Sequence, residues 1–282
     1  MPPVDHALNL TTQAILTYGS WGLTVVILVL AVWWGIRERT PLYALMVLAA
    51  MIGAFAEPLY DVAMSLSFYS GPGMWTHFTA FDIPQPIWTH SGYVVLYASA
   101  AILIAREIHR GTMTRRKLYL WAAVELAMSC VFEMVGINGG AYSYWGPHVL
   151  RIFNYPLVIG VLEAAQVICF AVAASQLRTR STNDWQLLGV IVVFPCTFFM
   201  ANFGAGWPAI IALHARGTST ALVATATVIS ICLAAVLVRL AGSYVPLSER
   251  VRSGRDAQDG AGGLGEHHAQ AVLGDAGVVK QR

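Results

Sequence analysis

The chain has 282 residues, 57% of them hydrophobic and only 11% charged, against roughly 25% charged in an ordinary soluble domain. A soluble domain of this size, a disordered chain and a nucleic-acid binder all need more charge than this, and a formal net charge of +2 favours none of them. What is left is a multi-span helical membrane protein, in keeping with a mean hydropathy of +0.60.

A helical span needs about 20 mostly apolar residues. Seven runs qualify, near Tyr18–Ile36, Pro41–Tyr60, Ile87–Ala105, Leu118–Ile137, Tyr155–Leu177, Leu187–Phe203 and Thr218–Leu240. The first has no basic stretch ahead of it, so it reads as a retained span rather than a cleaved leader. Pro41 and Pro156 sit at helix starts, where a missing amide donor costs little. Pro195 falls inside the sixth run and predicts a kink. The expected fold is an all-α bundle of seven transmembrane helices over residues 1–241, followed by a mobile tail over residues 242–282 that is rich in Gly, Asp, Glu and His. His267-His268 in the tail read as an incidental pair. Cys130, Cys169, Cys196 and Cys232 all lie in apolar runs and read as buried small hydrophobes.

The basic residues predict the orientation. With the N-terminus outside, 15 of the 17 Lys and Arg fall on the inner side, and only Arg151 and Arg216 remain outside. Trp21, Trp75, Trp88, Trp145 and Trp207 then lie near the outer boundary, and Trp33, Trp34, Trp121 and Trp185 near the inner one, as interfacial belts. The expected location is the cell membrane, with several passes and a cytoplasmic C-terminus.

Ionisable residues inside a membrane are costly and need a partner or a task. The second span ends Glu57-Pro58-Leu59-Tyr60-Asp61, which puts two carboxyls four apart on one helix face. Two acids this close divide into one proton donor and one charged group; the plainer alternative is that Glu57 caps a neighbouring helix or pairs with Arg151. The fourth span carries Glu125, about 10 Å in from its inner start, and Glu133, about 22 Å in. Glu163 lies roughly 12 Å down the fifth span, with Gln166 on a similar face. His90, Tyr93 and Tyr97 share a face of the third span, and Asn202 ends the sixth. Each alone has an ordinary reading as a helix-to-helix hydrogen bond. Together Glu57, Asp61, His90, Glu133, Glu163 and Asn202 gather in the outer half of the bundle.

Two outer loops add to the pattern. One runs from Phe68 to Pro86. The other reads Asn138-Gly139-Gly140-Ala141-Tyr142-Ser143-Tyr144-Trp145-Gly146-Pro147-His148, with Arg151 and Asn154 where it re-enters the membrane. Aromatics interleaved with Gly and Pro suit a lid over a cavity, and also suit contact with lipid headgroups. Arg151 is placed to neutralise an acid or hold a substrate oxygen. The expected object is an aromatic pocket with several carboxylic acids, open to the outer leaflet. Its ligands are a lipophilic small molecule and membrane lipids, and its chemistry is acid–base work on that molecule without cofactor or metal.

Other chemistries lack their residues. A retinal Schiff base needs an intramembrane lysine, and the only lysines, Lys117 and Lys280, lie outside the spans. The eight histidines form no HxxxH or HxxHH group, and no P-loop, HExxH or GxSxG occurs.

The acid pair in Glu57-Pro58-Leu59-Tyr60-Asp61, the aromatic segment from Phe81 through Trp88 to Tyr93, and Glu133 followed by Tyr142-Ser143-Tyr144-Trp145-Gly146 resemble the AveC-like spirocyclase family of actinobacterial multi-span proteins. A looser likeness extends to the membrane-bound meroterpenoid cyclases. The resemblance implies a spiroketal-forming or related cyclisation or dehydration of a polyketide or isoprenoid-like substrate. Glu57 or Glu133 would then donate a proton to a ketone or hemiketal oxygen. Asp61 or Glu163 would stay charged beside the resulting oxocarbenium ion, with Trp88, Tyr93 and Tyr97 shaping the chain. The competing expectation is a proton-coupled transporter or lipid-binding membrane protein, in which the same acids relay protons or bind a cation.

Overall fold

The computed structural model describes residues 6–245. The fold is all-α. Among the described residues, seven helices are long and apolar enough to cross a membrane: α1 (Leu10–Arg37), α2 (Leu42–Met64), α3 (Trp88–His109), α4 (Arg115–Asn138), α5 (Leu157–Arg180), α6 (Asp184–Ala205) and, after the short α7 (Trp207–His214), α8 (Thr220–Gly242). The protein is a multi-pass membrane protein. Residues 246–282, with most of the expected tail and the His267-His268 pair, lie outside the described residues.

The helices run beyond the hydropathy-based spans at several ends. The largest difference is in α1, which starts at Leu10 rather than Tyr18. Asn9 caps it by accepting from the amides of Thr11 and Thr12, and Thr12, Gln13, Thr17, Ser20 and Thr24 face inward. The polar side of this first turn is buried and the apolar side faces out, so a hydropathy average understates it. Val25, Val29, Leu120, Val131, Val192 and Leu240 likewise point outward, as lipid-facing residues do. Cys196 and Cys232 are also on this outer surface and only Cys169 is fully buried, which corrects the expectation of four buried cysteines.

Helix α5 is the axis of the bundle. It packs against α3, α4, α6 and α8 and is buried on nearly every side. Helix α1 lies at the periphery against α2 and α3. Helices α2 and α6 approach closely at Gly53, where a Cβ would sit 2.2 Å from the Phe194 ring. Only a glycine leaves that ring in place.

The two ends of the bundle differ. One collects arginines around a single acid. Glu38 accepts from Arg106 at 2.7 Å and lies 3.1 Å from Arg110 and 3.7 Å from Arg178, and Tyr43 also donates to it. Burial pushes the Glu38 carboxyl upward, but hydrogen bonds from Tyr43 and Arg106 and the charges of Arg106 and Arg110 together hold it below the usual carboxylate range. Arg37 and Arg106 stack over Trp33 and Trp34, each at 4.4 Å.

The other end carries the long loops, and these are structured. Strand β1 (Leu66–Phe68) follows α2, and β2 (Thr76–Ala80) pairs with β3 (Ile83–Pro86) as a hairpin before α3. Strand β4 (Tyr142–Tyr144) follows α4, and β5 (Arg151–Ile152) pairs with β6 (Tyr155–Pro156) before α5. The antiparallel pairing of β1 with β4 sets Leu66 opposite Tyr144 and Phe68 opposite Tyr142. It ties the two long loops to each other across this end of the bundle.

Candidate active site

Three of the expected acids meet. Glu57, Glu133 and Glu163, from α2, α4 and α5, line one enclosed chamber with Tyr60, Tyr93, Tyr97, Tyr142 and Tyr144, roofed by Leu66 and Phe68 of β1. The chamber volume is about 30 Å³, which is room for about two waters. Local backbone irregularities build it. A 3-10 turn over Ala54–Ala56 breaks α2 just before Glu57, and Pro58 brings no amide to the helix restarting there. Helix α3 widens into a π-turn over Val94–Ala98, which starts just after Tyr93 and contains Tyr97. Such bulges are common at functional sites, and this one leaves the two tyrosine rings 4.9 Å apart at the chamber wall. Gly136 gives Tyr142 its place, since a Cβ there would lie 2.3 Å from the ring.

Glu163 is the hub. Its Oε1 accepts from Tyr97 at 3.1 Å and Tyr60 at 3.5 Å, and its Oε2 from Tyr155 at 3.1 Å and from Ser129. Four hydroxyl donors on one carboxyl match what a carboxylate accepts. Glu57 accepts from Tyr93 at 2.5 Å. Glu133 differs, for its Oε2 is buried without a partner. Burial, then the Glu133 carboxyl, lift the Tyr142 and Tyr144 hydroxyls far above the phenol range; burial and then Glu163 do the same for Tyr155. All three stay protonated as donors. Every ion pair among the described residues uses Glu38 or Glu107 at the arginine-rich end, so none compensates the chamber acids.

Trp88, the first residue of α3, is buried and joins the chamber wall. Asp61 does not line the chamber, although its carboxyl lies within hydrogen-bond reach of the Glu57 carboxyl. Its Oδ2 accepts from Gln85 of β3 at 2.6 Å, and it lines a separate vestibule of about 300 Å³ with Leu66, Phe68, Trp145 and His214. Leu66 and Phe68 are thus the partition between vestibule and chamber. His90 departs from the expected face. Its Nδ1–H donates to the Met51 carbonyl at 2.7 Å, leaving Nε2 to accept from His77 at 3.0 Å, which pins the β2–β3 hairpin to α3. Arg151 neutralises no acid. It is exposed, and its guanidinium donates to the carbonyls of Tyr144 at 2.9 Å and Gly146 at 3.1 Å, holding the loop in shape. Asn138 and Asn154 hydrogen-bond each other at 3.4 Å and share with Arg151 a surface cleft near the N-terminal segment. Asn202 lies in a π-turn of α6 and donates to the Phe198 carbonyl at 3.1 Å, away from the chamber lining.

Sequence reasoning missed Tyr60, Ser129, Tyr155 and Gln85. Two had a signal: Tyr60 sits inside the acid motif, and Ser129 lies four residues from both Glu125 and Glu133. Gln85 had none, because only the hairpin brings it to Asp61.

Two histidines hold the end of the acid-bearing helix. His148 donates to the Met64 carbonyl at 2.9 Å and His214 to the Ala63 carbonyl at 3.1 Å. Burial pushes the His148 ring down from 6.5 to about 4. The native state therefore binds the neutral ring, while the unfolded chain protonates near 6.5. This stabilisation is complete above pH 6.5 and is lost as pH falls toward 4, by about 3 kcal/mol in all. Thermal unfolding in detergent is expected to show that slope, and His148→Gln to flatten it; an unchanged slope in the variant would assign it to another group.

The fold and site define a polytopic membrane protein built around a closed chamber of carboxyls and tyrosines. No family model, no curated protein and no solved structure matches the chain.

Proposed function

We propose that the protein is a cofactor-independent cyclase, seated in the cell membrane with its N-terminus outside, that acts by acid–base catalysis on a lipophilic polyketide or isoprenoid-like substrate. The observation that carries this reading is the enclosure of Glu57, Glu133 and Glu163 among tyrosine hydroxyls with no cation beside them. Where several carboxyls are buried together without a cation, those short of hydrogen-bond donors are neutralised by protons, and a proton is what cyclisation of a ketone, hydroxyl, epoxide or alkene requires. Glu133, with its free Oε2, is the donor to the substrate oxygen. Glu163, with four donors, is the carboxylate that steadies the oxocarbenium ion and takes the proton of the attacking hydroxyl. The tyrosine and tryptophan faces favour developing positive charge. The likeness to the AveC-like spirocyclases supports the same assignment, and the arginine cluster supports the orientation.

A transport path has less support. Phe170, Phe194 and Phe198 are fully buried beneath Tyr93 and Tyr97 and close the chamber on the arginine-rich side. The test is to incubate the reconstituted protein with lipid extracts of its native cells and follow masses. A product isomeric with a consumed compound, or lighter by one water, and absent with Glu133→Gln, is expected. A compound moved unchanged into the vesicles would overturn the reading in favour of transport.

A further inference from the structure

Below the chamber lie two buried polar side chains that the proposed chemistry does not use. Glu125 of α4 and Gln166 of α5 are 1% and 0% exposed. Glu125 Oε2 and both the Oε1 and Nε2 of Gln166 have no hydrogen-bond partner. Three orphaned atoms on two neighbouring helices are unusual, since buried polar groups are almost always satisfied by protein or by internal water.

Their position ties them to the chamber. On α4, Glu125, Ser129 and Glu133 are spaced by four residues and all face inward, one stripe with about 6 Å between steps. On α5, Gln166 follows Glu163 by three. The two helices are antiparallel neighbours, and the Ser129 hydroxyl donates to Glu163. That contact fixes the register: one turn on from Ser129, Glu125 comes to the level of the turn that carries Gln166. Val167 beside Gln166 and Phe170 one turn further on are fully buried apolar side chains, and Glu125 and Gln166 are themselves shut off from solvent, so any water at them is internal.

We propose that Glu125 and Gln166 are the inner station of the chamber's proton network, with internal water bridging them to Ser129 and Glu163 and Glu125 exchanging a proton with the chamber acids. This rests on the acid–base reading and deepens it. When Glu133 gives its proton to the substrate, the proton held at Glu125 passes along the water and Glu163 to restore the donor. The proton released by the attacking hydroxyl then returns to Glu125, so the count is conserved over a cycle.

The test needs no substrate, so its failure is separate from failure of the cyclase reading. Infrared spectra of the reconstituted protein are recorded in the carboxylic C=O region, in ordinary and deuterated buffer. Expected for Glu125→Gln is the loss of its own band, a shift in the band that Glu163→Gln identifies as Glu163, and several-fold slower deuterium exchange of the remaining chamber carboxyls. Gln166→Leu, which keeps every acid, is expected to give the same shift and slowing, and it carries the test if Glu125→Gln does not fold. A difference spectrum containing only the lost Glu125 band, with exchange rates unchanged in both variants, would overturn the proposal and leave Glu125 a packed structural acid.

Discussion

Glu163→Gln is expected to lower turnover by roughly 10²–10⁴-fold, the range one acid–base group supplies, while the protein stays folded. The side chain keeps its size; two of the four hydroxyls keep a carbonyl oxygen to donate to, and the other two turn to accept from the new NH2 group. What is lost is the negative charge. An oxocarbenium-like transition state then faces only phenol and amide dipoles, and the preorganised electrostatic contribution disappears. Glu163→Asp separates the two parts of the effect. It retains the charge but withdraws it by one methylene from Tyr97, now 3.1 Å away, so it should recover part of the rate. The measurement is initial rate per folded protein in vesicles, with thermal unfolding as the control. Turnover unchanged in Glu163→Gln would move the stabilising role to Glu57, the other chamber acid held by a tyrosine.

The seven spans and the gathering of Glu57, Glu133, Glu163, Tyr93 and Tyr97 were legible because intramembrane polarity is rare and helical spacing converts directly into a face. What escaped was set by contacts distant in sequence. His90 has the right spacing to join Tyr93 and Tyr97, yet His77 from the hairpin and the Met51 carbonyl take both its nitrogens. Arg151 has the right charge to meet an acid, yet four loop carbonyls lie closer to hand. Asp61 shares a helix face with Glu57 and meets its carboxyl, as the spacing predicts, but Glu57 opens on the chamber and Asp61 on the vestibule, with β1 between the two cavities. The early start of α1 was hidden because its buried side is the polar one, the reverse of a soluble helix.

The division made by β1 leads to the second large effect. A chamber of about 30 Å³ does not admit a polyketide or isoprenoid, whereas the vestibule of about 300 Å³ on the far side of Leu66 and Phe68 is of ligand size. A substrate entering from the vestibule must displace β1, and β1 is held chiefly by its pairing with β4. Ser67 and Ser143 face each other in that pairing and are half-buried, so paired cysteines at these two positions are within bridging geometry. In a background with the outward-facing Cys196 and Cys232 changed to serine, Ser67→Cys with Ser143→Cys is expected to lose nearly all turnover when oxidised and to regain it on reduction. Lid opening would then gate the reaction, as in many enzymes that sequester their chemistry from water. The serine background alone should be insensitive to oxidant. Equal rates in the oxidised and reduced double variant would place substrate entry elsewhere, laterally between the spanning helices, with β1–β4 a fixed roof.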